Sequence, residues 1–179
     1  MLRKLFFVFI GLLLTSTMSF ANTQLTLIVS NGHGPTLASA IDAFHDEYPQ
    51  ITIQARTAQQ ILALSNTELS EFMGLMQSSS FVVGAGLFGP AANALGALAP
   101  SRNQIYFSSD HQLVVKSQVA HTPLFNSIEH VAQVSASPLG EFNQWLAEHI
   151  QAHPNQRDWL KARSYWQAGG RENLIQLLK

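Results

Sequence analysis

Between Gln24 and Pro100 the chain alternates short aliphatic runs with segments of helical period, and this order restricts the fold more than any other feature. Residues 24–30 (QLTLIVS) read as a buried strand running into the glycine turn Asn31-Gly32-His33-Gly34-Pro35. Thr36 then stands as the cap of a helix whose apolar positions Leu37, Ala40, Ile41, Phe44 and Tyr48 share a face until Pro49 stops it. Residues 51–55 supply a second strand. Asn66 or Thr67 opens a helix with Leu69, Phe72, Met73 and Met76 on one side, ending in Ser78-Ser79-Ser80. Residues 81–84 form a third strand, and Gly84-Ala85-Gly86-Leu87-Phe88-Gly89-Pro90 turns into a small-residue helix over residues 91–98. Strand and helix in this sequence predict a parallel sheet covered on both sides, a three-layer α/β domain.

Further on, residues 104–107 and 113–116 read as short strands about the polar turn Ser108-Ser109-Asp110. After Pro138 only helical patterns remain, over residues 141–152, 156–167 and 171–179, the last following Gly169-Gly170. The expected architecture is therefore α/β with a helical C-terminal third.

The start of the chain reads as an export signal. Arg3 and Lys4 precede ten apolar residues, 5–14 (LFFVFIGLLL), and Ser19-Phe20-Ala21 offers small residues to a signal peptidase. Ten residues at helical rise cover about 15 Å of a roughly 30 Å hydrocarbon core, too little for a span, and only extension of the segment to Phe20 makes an uncleaved membrane anchor the alternative. We place a signal peptide at residues 1–21, a domain at 22–179 and the product in the periplasm, with membrane attachment only through an uncleaved leader. ATP is absent there.

Composition narrows the chemistry. Without the leader 8 cations stand against 11 acids, a formal charge of −3, which argues against nucleic-acid binding through a basic face. Hydrophobic residues at 46% and charged residues at 12% exclude global disorder. With no cysteine, thiolate metal sites, disulfides and cysteine nucleophiles are ruled out, so a metal would rely on His and carboxylates. Neither G-x-S-x-G nor H-E-x-x-H occurs, and hydrolase chemistry has no support.

The ligand-binding candidates are Asn31, Gly32, His33 and Gly34 after the first strand and Gly84, Gly86 and Phe88 after the third. Ligands of open parallel sheets bind beyond the carboxyl ends of strands, where glycine permits close backbone approach. If the first and third strands are neighbours, the two loops line one crevice with Leu87 and Phe88 at its apolar rim. His33 reads either as an axial metal ligand or proton carrier, or as an exposed turn residue. The G-x-G of this turn is not a dinucleotide fingerprint, because Pro35 and Thr36 replace the rest. Asp42, His45 and Asp46, and separately Glu148, His149 and His153, have spacings that bring side chains together on a helix, either as metal sets or as solvated faces.

Residues 164–178 (SYWQAGGRENLIQLL) carry an aromatic pair, then two residues, Gly-Gly, and a downstream Asn and Leu-Leu. From the residues alone this is a structural motif. Gly169-Gly170 permit positive φ at a helix end, Asn173 bonds backbone, and Tyr165 and Trp166 pack. The segment also resembles one near the N-terminus of the large subunit of cobalt chelatase and its magnesium chelatase relatives, through Tyr165, Trp166, Gly169, Gly170, Asn173, Leu177 and Leu178. The likeness extends over residues 24–179, with Phe81-Val82-Val83-Gly84 matching a strand before a small-residue loop. It implies that 22–179 is the N-terminal α/β region of a longer chelatase-like protein, without the metal-inserting body. The function it implies is handling of a tetrapyrrole, haem or corrinoid, by binding it or by metal insertion or removal. The implied ligand is a metal-tetrapyrrole with His33 on the metal; the implied partners are the remaining chelatase body or an uptake system. The alternative is a periplasmic solute-binding or accessory interaction domain without catalysis. Arg56 and Arg102 are the only cations near the glycine turns in sequence, which weakens an anion receptor.

Overall fold

A computed structural model describes residues 23–135 and 142–179; the predicted leader, Pro138 and Glu141 lie outside the described residues. The alternating half of the chain forms β1 (Thr23–Val29), α1 (Gly34–Glu47), β2 (Ile51–Thr57), α2 (Ala58–Leu62), α3 (Asn66–Ser78), β3 (Phe81–Ala85), α4 (Gly89–Gly96) and β4 (Gln104–Phe107). There follow α5 (His111–Val114), the hairpin β5 (Gln118–Val119) and β6 (Thr122–Pro123), and α6 (Ile128–Ser135). The chain closes with α7 (Phe142–Ala152), α8 (Arg157–Ala168) and α9 (Gly170–Leu178). No described helix is long and apolar enough to cross a membrane.

The sheet order is β2-β1-β3-β4-β5-β6, with the first four strands parallel and the last two antiparallel. From β1 the chain steps outward to β2, then crosses back to place β3 on the other side of β1. Right-handed crossovers in opposite directions put their helices on opposite faces. Accordingly α1 packs on α9, and α9 on α8, which lies against β4; α3 lies against β1, and α2 and α5 against α4. Successive residues of a strand point to opposite faces, and Leu27 and Ile28 of β1 are both buried. This is the predicted three-layer arrangement.

The C-terminal helices are part of this core. Trp159 of α8 is fully buried and its Nε1–H donates to the Tyr106 carbonyl of β4 at 2.7 Å, while Leu160, Trp166 and Leu174 join the same apolar cluster.

Three local expectations are corrected. Residues 113–116 are not a strand. Asp110 caps a short helix by accepting from Gln112 N at 2.9 Å, and Leu113 and Val114 of α5 are buried. A three-residue apolar run, here Leu113-Val114-Val115, looks the same in a buried helical turn as in a strand. Thr36 does not cap α1; His33 holds that position without a side-chain cap bond, and proline occupies the first turn. The small-residue helix starts at Gly89, earlier than expected. Helices α2 and α6 have no counterpart in the sequence reading. Helix α2 is one turn fixed by a reciprocal capping box between Thr57 and Gln60.

Candidate functional site

Strand order makes β1 and β3 neighbours whose connections leave in opposite directions, which is where open α/β sheets bind ligands. After β1, Ser30 N donates to the Ala85 carbonyl of β3 at 3.1 Å, and the chain turns through Asn31–His33 into α1. Ser30 Oγ lies 2.8 Å from His33 Nδ1. The imidazole rests on the indole of Trp166, with centroids 4.4 Å apart at 37°. Trp166, in the last turn of α8, also meets the Phe107 ring at 6.0 Å, edge-on. Residues from the ends of β1, β3, β4 and α8 thus form one cluster, in which His33 is the titratable side chain.

His33 is therefore not a free turn residue. It is half-buried, held at one nitrogen by a hydroxyl and on one face by an indole. In the tautomer in which Nδ1–H donates to Ser30 Oγ, Nε2 carries the lone pair. A second partner of this kind is what orients metal-binding imidazoles. Ser30 is not among the residues the sequence singles out as candidates, although a serine three residues before a turn His is a local hydrogen-bonding signal.

The glycines divide into two kinds. Gly84 sits inside β3 against the Tyr106 ring, where a Cβ would come within 2.8 Å of Cε1. Gly86 has φ +69°, and a Cβ there would lie 2.9 Å from Ser30 Oγ and 3.7 Å from Trp166 Cζ2. Both are required by packing, Gly84 by the Tyr106 ring and Gly86 by Ser30. By contrast, a Cβ at Gly32 or Gly34 would meet nothing within 4 Å, and neither has a positive φ. The chain's own packing gives no reason for glycine at either position.

Asn31 uses its side-chain oxygen to accept from Gln59 N of α2 at 3.0 Å, tying the β1 turn to the end of β2. Of the two rim residues expected, Leu87 is buried; Phe88, at the N-cap of α4, is 62% exposed.

The helical clusters behave differently. Asp42, His45 and Asp46 are exposed on α1. His153 N donates to His149 O at 2.9 Å, closing α7, while the His153 ring approaches His130 of α6 at 6.3 Å. Among the described residues no three His, Asp or Glu stand together as a metal set.

In the tail, Gly169 and Gly170 adopt φ 63° and 76°, and Asn173 Nδ2 donates to the Gly169 carbonyl at 2.7 Å. This turn folds α9 back along α8 and α1, while Trp166 of the same motif packs on His33. Comparison with known protein families and with curated proteins finds no match for this chain.

Proposed function

We propose that this chain is an exported, chelatase-like domain that binds a metal-tetrapyrrole, haem or corrinoid, in the crevice between the β1 and β3 loops. The observation that carries this reading is His33, anchored by Ser30 and Trp166 at the sheet's switch point. An imidazole fixed at Nδ1 can offer Nε2 to a metal centre without the entropy cost of ordering a loose side chain. Gly32 and Gly34 leave space for a flat ring in front of the turn, and exposed Phe88 supplies an apolar surface for its edge. The tail resemblance supports the same reading, because its Trp166 is the residue on which His33 rests. In this proposal the leader takes the domain to the periplasm, and a second wall of the pocket comes from a further chelatase body or an uptake partner.

The test is titration with haemin and with a cobalt corrinoid, followed by absorbance. His33→Ala is expected to abolish the Soret shift, and Ser30→Ala to weaken binding about 10- to 100-fold, as loss of an orienting partner does at metal sites. A shift that survives His33→Ala unchanged would remove the site. The exposure of Phe88 favours an accessory interaction domain as the second reading. That reading is preferred if neither ligand shifts.

A further inference from the structure

A second cleft lies at the other end of the strands. Its floor is one face of the sheet at its amino edge, where the register sets Leu25 beside Phe81, Leu27 beside Val83 and Val83 beside Ile105. Leu25, Phe81 and Val83 belong to central strands, yet each remains half-buried where helices would be expected to cover it. The reason is the placement of the overlying layer. Ala162 and Tyr165 of α8 form one wall and Leu177 and Leu178 of α9 the other, leaving about 590 Å³ between helices and sheet. That volume falls within the range of about 300–1,000 Å³ typical of small-molecule sites.

The polar groups at this cleft are unevenly committed. Asp158 pairs with Arg157 at 3.0 Å, and Lys179 pairs with Glu47 at 2.8 Å. Lys161, exposed on α8, has no ion-pair partner among the described residues. An apolar trough with an exposed ammonium at its rim, free of any direct ion pair among the described residues, is complementary to a molecule with an aliphatic body and an anionic head.

We propose that this cleft binds a single-chain amphiphile of the fatty-acid class, its chain along Leu25, Phe81 and Val83 and its carboxylate at Lys161. Burial of the methylenes supplies the affinity, and the lysine selects the sign of the head. The site is separate from the His33 crevice and does not depend on the tetrapyrrole reading.

Isothermal titration of the whole chain with dodecanoate, and with dodecyltrimethylammonium as the charge control, tests this. Dodecanoate is expected to bind one to one below its micelle concentration, and the cation more weakly. Lys161→Glu, an exposed change that leaves the core intact, should weaken dodecanoate about fivefold or more. Ala162→Phe should fill the trough and abolish binding while the far-ultraviolet circular dichroism is retained. His33→Ala should leave dodecanoate binding unchanged, and Ala162→Phe should leave any haemin shift unchanged. The proposal falls if the wild-type chain does not bind dodecanoate, if the cation binds equally well, or if folded Ala162→Phe still binds. Should Ala162→Phe not fold, the response of Lys161→Glu decides alone.

Discussion

Glycine at position 84 leaves room for the Tyr106 ring, and burial of the same ring sets an expected pH dependence of stability. Gly84→Ala would push a methyl into that ring and is expected to cost about 1–3 kcal/mol, as overpacking does in a filled core. Gly34 has helical φ and open space, so Gly34→Ala should be neutral or stabilise by roughly 0.5 kcal/mol while hindering any ligand at the turn. Urea midpoints of the two variants provide the comparison. Burial of Tyr106 pushes its phenol well above the ordinary tyrosine range. The folded state therefore keeps a proton that the unfolded chain releases above about pH 10. Stability attached to Tyr106 is full below that pH and declines as pH rises through it. Urea midpoints measured from pH 8 to 11 should fall less for Tyr106→Phe than for the wild type.

At the scale of elements, α3 shows how local chemistry fixes a boundary. Ser65 Oγ accepts from Glu68 N at 3.4 Å, and the Glu68 carboxylate accepts from Ser65 N at 2.8 Å and from its hydroxyl at 2.7 Å. Ser65→Ala is expected to cost about 1 kcal/mol, read as a lower urea midpoint. The bonds from the Ser65 hydroxyl and backbone hold the Glu68 carboxyl below its ordinary range, with Arg56 adding a smaller attraction. A carboxyl with a lowered folded pKa stabilises fully above its unfolded pKa and loses that contribution as pH falls through the folded value. The acid limb of the stability curve should therefore be shallower for Glu68→Gln than for the wild type, and an unchanged limb would refute the assignment.

For the whole molecule, the helices after residue 156 and the sheet share one core. Trp159 meets Phe125 at 5.1 Å and bonds β4, so α8 cannot leave without breaking that bond and uncovering the sheet's apolar face. We expect a single unfolding transition. Tryptophan fluorescence, which reports the C-terminal helices, should coincide with far-ultraviolet circular dichroism, which reports the whole backbone. Two separated midpoints would show that the helical third is an independent unit. Trp159→Ala should destabilise by about 3–5 kcal/mol, because it empties a buried site and removes the donor to Tyr106.

Local signals in the sequence were sufficient for much of this architecture. Aliphatic runs such as residues 24–30, the prolines and glycines between them, and the Gly169-Gly170 pair act through nearest-neighbour sterics and periodicity, which need no knowledge of distant contacts. The same signals placed His33 and Gly86 beyond strand ends. They could not tell residues 113–116 from a strand, since the outcome depends on Asp110, whose N–H is held by the distant Leu87 carbonyl. Nor could they separate Gly84 and Gly86, which packing requires, from Gly32 and Gly34, which it does not: that distinction belongs to Tyr106 and Ser30 across the fold. Tertiary structure alone set β3 beside β1, brought Trp166 onto His33 and left the amino edge of the sheet partly uncovered. These are contacts between segments far apart in the chain, and they follow from how the layers pack together rather than from any local pattern.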